Sequence, residues 1–299
     1  MDNKTTSDSP TTIYDLPHNA LVRIGRFLNW FNIVELRLCS RKCKEMAEVM
    51  LEKGLKEISL SNDLDRDVND DPNQYTPIRY CTKLRKCEFT SMNLFKDKKM
   101  HQFLSNNPHL KEVSIRHMRN TTTAGILPLA NCMNLSKLTL VCVPIDDQFL
   151  RRLTRHKIHL VEVELTHLKI TVRGARDFFR AQPLLEKITL AMRHDDIRPC
   201  LLTISKHCPK LKSLDIHNAN LNDDNECALR FAKKCPTLEE ICLRYNGMYE
   251  FTRNHPVVRA LENLKNRDID VVLHEADDSD ISDFESSSSG SDSEFLRSD

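Results

Sequence analysis

A pattern of apolar residues that recurs every 25 to 27 positions constrains the fold of this chain more than any other feature. The pattern reads Leu-x-x-apolar-x-apolar, and its seven copies begin at Leu84, Leu110, Leu135, Leu160, Leu185, Leu211 and Leu238. A less regular copy precedes them at Leu55. Such a period is typical of repeat proteins, in which each unit buries its apolar face against its neighbours.

Each unit predicts one strand followed by a return that contains a helix. The apolar residues at the fourth and sixth positions lie two apart, so they face one side of a strand. A helical pattern follows, for example from Asp146 to Arg155. Because strands stack about 4.8 Å apart and packed helices about 8 to 10 Å apart, the stack should bend. The predicted fold class is therefore α/β, a horseshoe solenoid with parallel strands inside and helices outside.

This period resembles the leucine-rich repeat. Two starts, Cys208-Pro209-Lys210-Leu211 and Cys235-Pro236-Thr237-Leu238, are similar to the cysteine-containing subclass of that repeat. The asparagine that many leucine-rich repeats carry at the ninth position appears here only as Asn246. Backbone groups at the other turns must therefore find different partners.

A short helical segment, residues 16–51, precedes the repeat. Its first helical pattern consists of Leu21, Ile24, Phe27 and Leu28. Asn32 predicts the start of a second helix and Ser40 the start of a third. Units below about 40 residues seldom stabilise themselves. The segment should therefore pack on the following domain, bind a partner, or do both.

The order of residues in this segment resembles the F-box, by which substrate receptors attach to the Skp-type adaptor of cullin-based SCF ubiquitin ligases. The matching residues are Leu16-Pro17 for the opening Leu-Pro, Leu21 and Ile24 for the first-helix apolar pair, Leu28 for the helix-ending Leu, and Cys39-Ser40-Arg41 for the Val-Cys/Ser-Lys/Arg step. Asn19 stands where the family commonly has Glu, and Cys43 stands where it commonly has Trp.

The resemblance implies that this segment binds a Skp-type adaptor and, through it, a cullin. The implied adaptor-binding residues are Leu16, Pro17, Leu21, Ile24, Leu28 and Leu36. An alternative is a helical cap that covers the end of the solenoid. Both interpretations are compatible, because one helix face could pack on the repeat while the other binds.

The net charge of +1 hides an uneven distribution. Residues 275–299 contain nine Asp or Glu and one Arg, a net −8, so the rest of the chain is net +9. Dense acid and a serine run predict a disordered tail. Ser282, Ser289 and Ser291 each have an acid three residues later, so they are candidate phosphorylation sites. The tail could act as a solubilising segment or could fold back on basic parts of the solenoid.

These patterns divide the chain into four parts. They are a disordered N-terminus at 1–12, an F-box-like segment at 13–53, the solenoid at 54–274 and the acidic tail at 275–299. The polar N-terminus has no secretory signal, and no run of 18 apolar residues occurs. We therefore expect reduced thiols, a cytoplasmic or nuclear location, and no membrane partner.

No residue pattern indicates catalysis. Cys142 and Cys200 lack a signature of thiol chemistry, and no metal or nucleotide motif occurs. The basic cluster at 151–157 has no interleaved aromatic residues for base stacking. We expect neither an enzyme nor a cofactor, metal or nucleic-acid partner.

The inner surface of the solenoid is the best candidate for binding a target protein. It consists of the third, fifth and seventh repeat positions, because these point away from the core. The charged or titratable candidates on it are Arg116, Glu164, Asp215, His217 and Arg244.

The sequence thus favours a substrate-recognition subunit of an SCF ubiquitin ligase whose target is unknown. One alternative is a non-ligase leucine-rich-repeat scaffold or an acidic-tail binder of basic proteins such as histones. A third hypothesis, a cysteine-dependent enzyme of ubiquitin transfer, needs an accessible thiolate of lowered pKa.

Overall fold

The chain folds into N-terminal helices followed by alternating strands and helices. The computed structural model describes residues 12–61, 75–92, 95–192, 197–217, 230–231, 233–245 and 270–275, with the side chains of 243–245 and 270–275 left out. The candidate phosphorylation sites Ser282, Ser289 and Ser291 lie outside these ranges. Within them, no helix has the length and apolar character needed to cross a bilayer.

Three helices form the N-terminal segment: α1 (His18–Gly25), α2 (Trp30–Cys39) and α3 (Arg41–Val49). Ser40 caps α3 as predicted, because its hydroxyl accepts a 3.1 Å hydrogen bond from the Cys43 N–H. The prediction that Asn32 begins α2 was wrong. Asn29 caps this helix instead, because its side chain accepts a 2.9 Å bond from the Asn32 N–H. Trp30 is therefore the first residue of the helix, and its side chain is buried.

The predicted apolar face of α1 was also partly wrong. The helix ends at Gly25, two residues before Phe27, and the Phe27 side chain is 89% exposed. A π-helical turn, Met50–Gly54, leads from α3 to the first strand and packs against α1. Gly25 permits this contact, because a Cβ there would lie 2.8 Å from the Met50 Cβ.

The repeats form one sheet of nine parallel strands in sequential order. The strands are β1 (Glu57–Ser61), β2 (Lys86–Thr90), β3 (Glu112–Arg116), β4 (Lys137–Val141), β5 (Glu162–Thr166), β6 (Lys187–Ala191), β7 (Ser213–His217), β8 (Glu240–Tyr245) and β9 (Asp270–Glu275). Equivalent repeat positions pair throughout, as Leu138 does with Val163. The predicted register is confirmed.

Helices connect these strands and cover one face of the sheet. They are α4 (Asp97–Ser105), α5 (Thr123–Ile126), α6 (Asp147–Arg155), α7 (Val172–Arg180) and α8 (Arg198–His207). The fourth-position and sixth-position side chains, such as Leu138 and Leu140, are buried in one cluster with Phe149, Phe178 and Phe179. The fold is thus an α/β repeat solenoid with a parallel sheet.

A column of small polar side chains runs beneath the repeat starts. The residue three positions before the start is Cys81, Asn107, Cys132, Gln182, Cys208 or Cys235, with Lys157 as the exception, and all six are buried. The Asn107 side-chain oxygen Oδ1 accepts a 3.1 Å bond from the Leu84 N–H, and its side-chain nitrogen Nδ2 donates to the Cys81 and Phe103 backbone carbonyls. Asn107, Cys132, Gln182 and Cys208 thus bond backbone groups that the core would otherwise isolate.

Neighbouring repeats are also tied at their helix starts. The Asp147 carboxylate accepts bonds from the Thr171 backbone and hydroxyl at 2.8 and 2.7 Å, and Thr171 in turn caps α7. Gly174 makes room for this carboxylate, because a Cβ there would overlap it. Asp97, Thr122 and Gly125 form the same arrangement one helix pair earlier.

In the turns after four of the strands, where the ninth-position asparagine is absent, the eighth-position residue has a left-handed backbone conformation. The eighth-position residues Ser91, His117, Cys142 and His167 all have φ between 51° and 56°, the left-handed region. The His117 N–H donates to the Val141 carbonyl of the next strand at 2.8 Å, and the Cys142 N–H donates likewise to Thr166 at 3.1 Å. The ladder of the sheet therefore continues one residue past β2, β3 and β4.

Candidate interaction surfaces

The face of the sheet opposite the helices, here called the open face, carries three rows of side chains. The third-position row alternates in charge over six strands, as Glu57, Lys86, Glu112, Lys137, Glu162 and Lys187. Lys137 and Glu162 form an ion pair of 2.7 Å. Opposite charges on adjacent strands stabilise a sheet, so this row supports the register.

A bidentate ion pair crosses the middle of the open face. The Arg116 guanidinium on β3 donates to both carboxylate oxygens of Glu164 on β5, at 3.1 and 2.8 Å. The pair bridges β4, which lies between these strands. Planar two-point pairing of this kind fixes both side chains in orientation.

Asp215 and His217 form a second close pair, on β7. The His217 Nε2 lies 3.5 Å from an Asp215 carboxylate oxygen, and Nε2 is buried without a hydrogen-bond partner. Both side chains are less than one-fifth exposed. A ligand acceptor that reached this nitrogen would supply a bond that the described residues do not.

These two pairs line one depression of about 390 Å³ on the open face, together with Lys137 and Lys187. The structure thus brings together four of the five predicted target-binding residues. The fifth, Arg244, pairs in register with His217, but its side chain is outside the described part. The depression carries both signs of charge and could hold a polar segment through paired hydrogen bonds.

The predicted adaptor-binding residues differ in accessibility. Pro17 is exposed, and Leu16, Ile24, Leu28 and Leu36 are partly buried against the core. Leu21 is only 3% exposed, so it supports the helix from inside and is not available to a partner in this conformation.

Exposed apolar side chains concentrate in the same segment. Among the described residues eight large apolar side chains are exposed, and five of them are Ile13, Tyr14, Phe27, Phe31 and Leu38. Phe27 and Leu38 are 89% and 77% exposed. Sequence reasoning missed Leu38, although α2 has apolar residues on more than one face.

The cysteines offer little accessible thiol chemistry. Cys142 and Cys200 are buried. Burial raises the pKa of Cys81 to about 12 and that of Cys132 to about 11, which disfavours their thiolates. Hydrogen bonding with the Ser40 hydroxyl and then with Tyr14 lowers the pKa of Cys43, whose side chain is also buried.

The fold and these surfaces define a repeat solenoid with an apolar helical segment at one end and a charged open face. No family model matches the sequence, and no curated protein matches it either. A structure of leiomodin-1 actin-binding site 2 aligns with 48% of this chain and 90% of its own, at 10% identity and a TM-score of 0.35. At that TM-score the likeness supports no inference.

Proposed function

We propose that this protein is the substrate-recognition subunit of an SCF-type ubiquitin ligase. In this proposal residues 13–53 are an F-box that binds a Skp-type adaptor, and the solenoid is a leucine-rich-repeat domain that holds a target protein. The observation that carries the proposal is the concentration of exposed apolar side chains in the helical segment.

The packing of this segment supports a docking role. Trp30, Ile33 and Ala47 belong to the core that continues into the solenoid, so one side of the helices is fully used. Phe27 and Leu38 remain in water on the same helices or directly beside them. Exposed apolar patches bordered by polar residues are typical of protein interaction sites. A helical cap alone would not need them.

The open face supports the second half of the proposal. Its central depression is lined by charged pairs, which favour a polar target segment over a small apolar ligand. The protein would then act by raising the effective concentration of the target near a ubiquitin-conjugating enzyme. No catalytic group of its own is needed.

Co-purification with a Skp-type adaptor tests the proposal. We expect the intact chain to retain the adaptor and the L16A/P17A variant to lose it while keeping other bound proteins. Pro183 and Leu184 form a matched control, since both are exposed but lie outside the helical segment. The P183A/L184A variant should therefore retain the adaptor. A folded intact chain that captures no adaptor would refute the proposal.

The same experiment also tests the scaffold alternative, because residues 275–299 are acidic and could bind basic proteins. Salt-sensitive capture of basic proteins such as histones, dependent on the tail and without adaptor, would favour that alternative.

A further inference from the structure

A groove of about 640 Å³ lies where the N-terminal helices meet β1 and β2. Its helical wall includes Arg26, Phe27 and Phe31, and its floor includes Lys56 and Ser59. Phe27 and Phe31 are 89% and 47% exposed, so two aromatic rings border the groove without being covered. The groove is separate from the depression at the centre of the open face.

Basic side chains gather around Lys56, which lines this groove. Lys56, Arg85 and Lys111 occupy the second position of the first three repeats, and the backbone joins them directly. The Arg85 N–H donates to the Lys56 carbonyl, and the Lys111 N–H donates to the Arg85 carbonyl, each at 2.7 Å. In the later repeats this position is occupied by Ser136, Val161, Glu186, Lys212 and Glu239. An uninterrupted series of basic residues at the second position therefore occurs only in the first three repeats.

Among the described residues, no acid forms an ion pair with these cations. Burial lowers the pKa of Lys56, and repulsion from Arg26, Arg85 and Lys83 lowers it further. The Lys56 ammonium donates to the Lys53 carbonyl at 3.4 Å. Within the described ranges, Arg26, Lys83 and Arg85 form no ion pair with a carboxylate. Adjacent like charges without counter-charges are destabilising, so an anionic ligand here would relieve repulsion.

Two acids, Glu57 and Glu88, also line the groove. Glu88 forms a 2.9 Å ion pair with Lys86 and is already neutralised. Glu57 opposes Lys86 in the strand register. Both acids are therefore close to Lys86, and the cations of Arg26 and Lys56 remain available to an anionic ligand.

We propose that this groove binds the acidic segment at residues 276–299 of the same chain. That segment contains eight Asp or Glu and one Arg, which complements the cations. It also contains Phe284 between Asp283 and Glu285, and Phe295 directly after Glu294. An acidic peptide with an aromatic side chain matches both properties of the groove, its uncovered rings and its cations.

The chain is long enough for this contact. From β9 to β1 there are eight strand steps of about 4.8 Å, or about 38 Å in all. The 24 residues after Glu275 could span up to about 80 Å. The segment can therefore reach from the last strand to the first.

A second basic surface has the cations of the groove but lacks its aromatic side chains among the described residues. Arg151, Arg152 and Arg155 on α6 line a depression with Leu127, Asp146 and Gln148, and none of its described lining residues is aromatic. This difference makes the groove the preferred site and makes the α6 arginines a matched control.

Carbodiimide cross-linking of the intact chain at low concentration tests the inference, because this reagent joins carboxylates and amines that touch. We expect carboxylates of 276–299 to couple to Lys56 and Lys83. Exposed lysines of the outer helices, Lys98, Lys99 and Lys206, should couple much less. Even coupling over all lysines, or none at Lys56 and Lys83, would overturn the inference. So would coupling found only between isotopically distinct copies of the chain.

Three full-length variants separate a specific site from general attraction. R26E/R85E should reduce coupling to Lys56 roughly fivefold or more, because two attractive cations become repulsive. R152E/R155E has the same charge change and should leave coupling unaltered, as these arginines are far from the groove. F284S/F295S should reduce coupling without any change in charge. Equal loss in both arginine variants would indicate non-specific electrostatics and contradict the proposed site.

The contact does not depend on the ubiquitin-ligase proposal, and the two can fail separately. L16A/P17A should abolish adaptor capture while Lys56 still couples to the tail. F284S/F295S, whose changes lie outside residues 13–53, should weaken the tail contact in a chain that still captures adaptor.

Discussion

Arg116 and Glu164 form a two-point ion pair although 48 residues separate them in sequence. The solenoid places them on β3 and β5, at the seventh and fifth repeat positions. Their side chains are 38% and 23% exposed, so water screens the attraction only partly. The pair ties β3 to β5 across the open face.

We expect the Arg116–Glu164 pair to contribute about 0.5 to 1 kcal/mol of coupling energy, the range of partly exposed pairs with good geometry. A double-mutant cycle with R116A, E164A and the double variant measures it through the free energy of unfolding in urea. R173A, an exposed arginine without a described partner, should change stability by less than about 0.5 kcal/mol. Zero coupling would show that the pair does not persist in solution.

Replacing Asn107 with leucine should lower the free energy of unfolding by about 2 to 4 kcal/mol. The substitution leaves the buried Leu84 N–H and the Cys81 and Phe103 carbonyls without these bonds. Urea unfolding of N107L against N134A, an exposed asparagine, provides the comparison. If the two variants lose equal stability, the amide is not structurally required.

The G174A variant should be destabilised by about 1 to 3 kcal/mol, because the new methyl group overlaps the Asp147 carboxylate. Thermal unfolding of G174A, D147S and the double variant tests this cause. The double variant should lose less than the sum of the single losses, since serine leaves more space. Additive losses would exclude a steric conflict between these two residues.

Cysteine alkylation should be faster at Cys39 than at the other nine described cysteines. Cys39 is exposed, whereas the remaining nine described cysteines are buried. Burial also raises the pKa of Cys208 to about 12, which further slows alkylation. Iodoacetamide mapping of the native chain by mass spectrometry should modify Cys39 first and the buried nine only after unfolding. Rapid native labelling of Cys142 or Cys200 would revive the thiol-enzyme hypothesis.

The sequence predicted the strands of the solenoid well because their signal is repeated. The fourth-position and sixth-position residues recur in each copy, and the register of Leu138 with Val163 follows directly from the period. Four of the predicted target-binding residues, which line the central depression, could also be placed on one face from position alone. The pairing of Arg116 with Glu164 could not, because Arg116 bonds across the intervening strand β4 instead of to its direct neighbour in the sheet.

Local features without repetition were harder to predict. Asn29 and Asn32 are equally good capping residues by type, and only the packing of Trp30 decides between them. Phe27 fits the helical spacing, but α1 ends before it at Gly25, where the close approach of Met50 sets the geometry. Both depend on contacts between segments, which a single spacing pattern does not contain.

The left-handed turn residues were missed for a related reason. Ser91, His117, Cys142 and His167 have no common chemistry, and none is glycine. What Ser91, His117 and Cys142 share is a backbone N–H bond to the next strand. A sequence signal for it would have to come from the stacking of repeats, not from residue type.

Direct binding of a purified Skp-type adaptor, measured by isothermal titration calorimetry, tests the central claim most directly. The account predicts saturable one-to-one binding by the intact chain, with the negative heat-capacity change that buried apolar surface produces. It predicts at least about tenfold weaker binding by L16A/P17A, a loss of about 1.4 kcal/mol. No binding by a correctly folded chain, or equal binding by this variant, would contradict it.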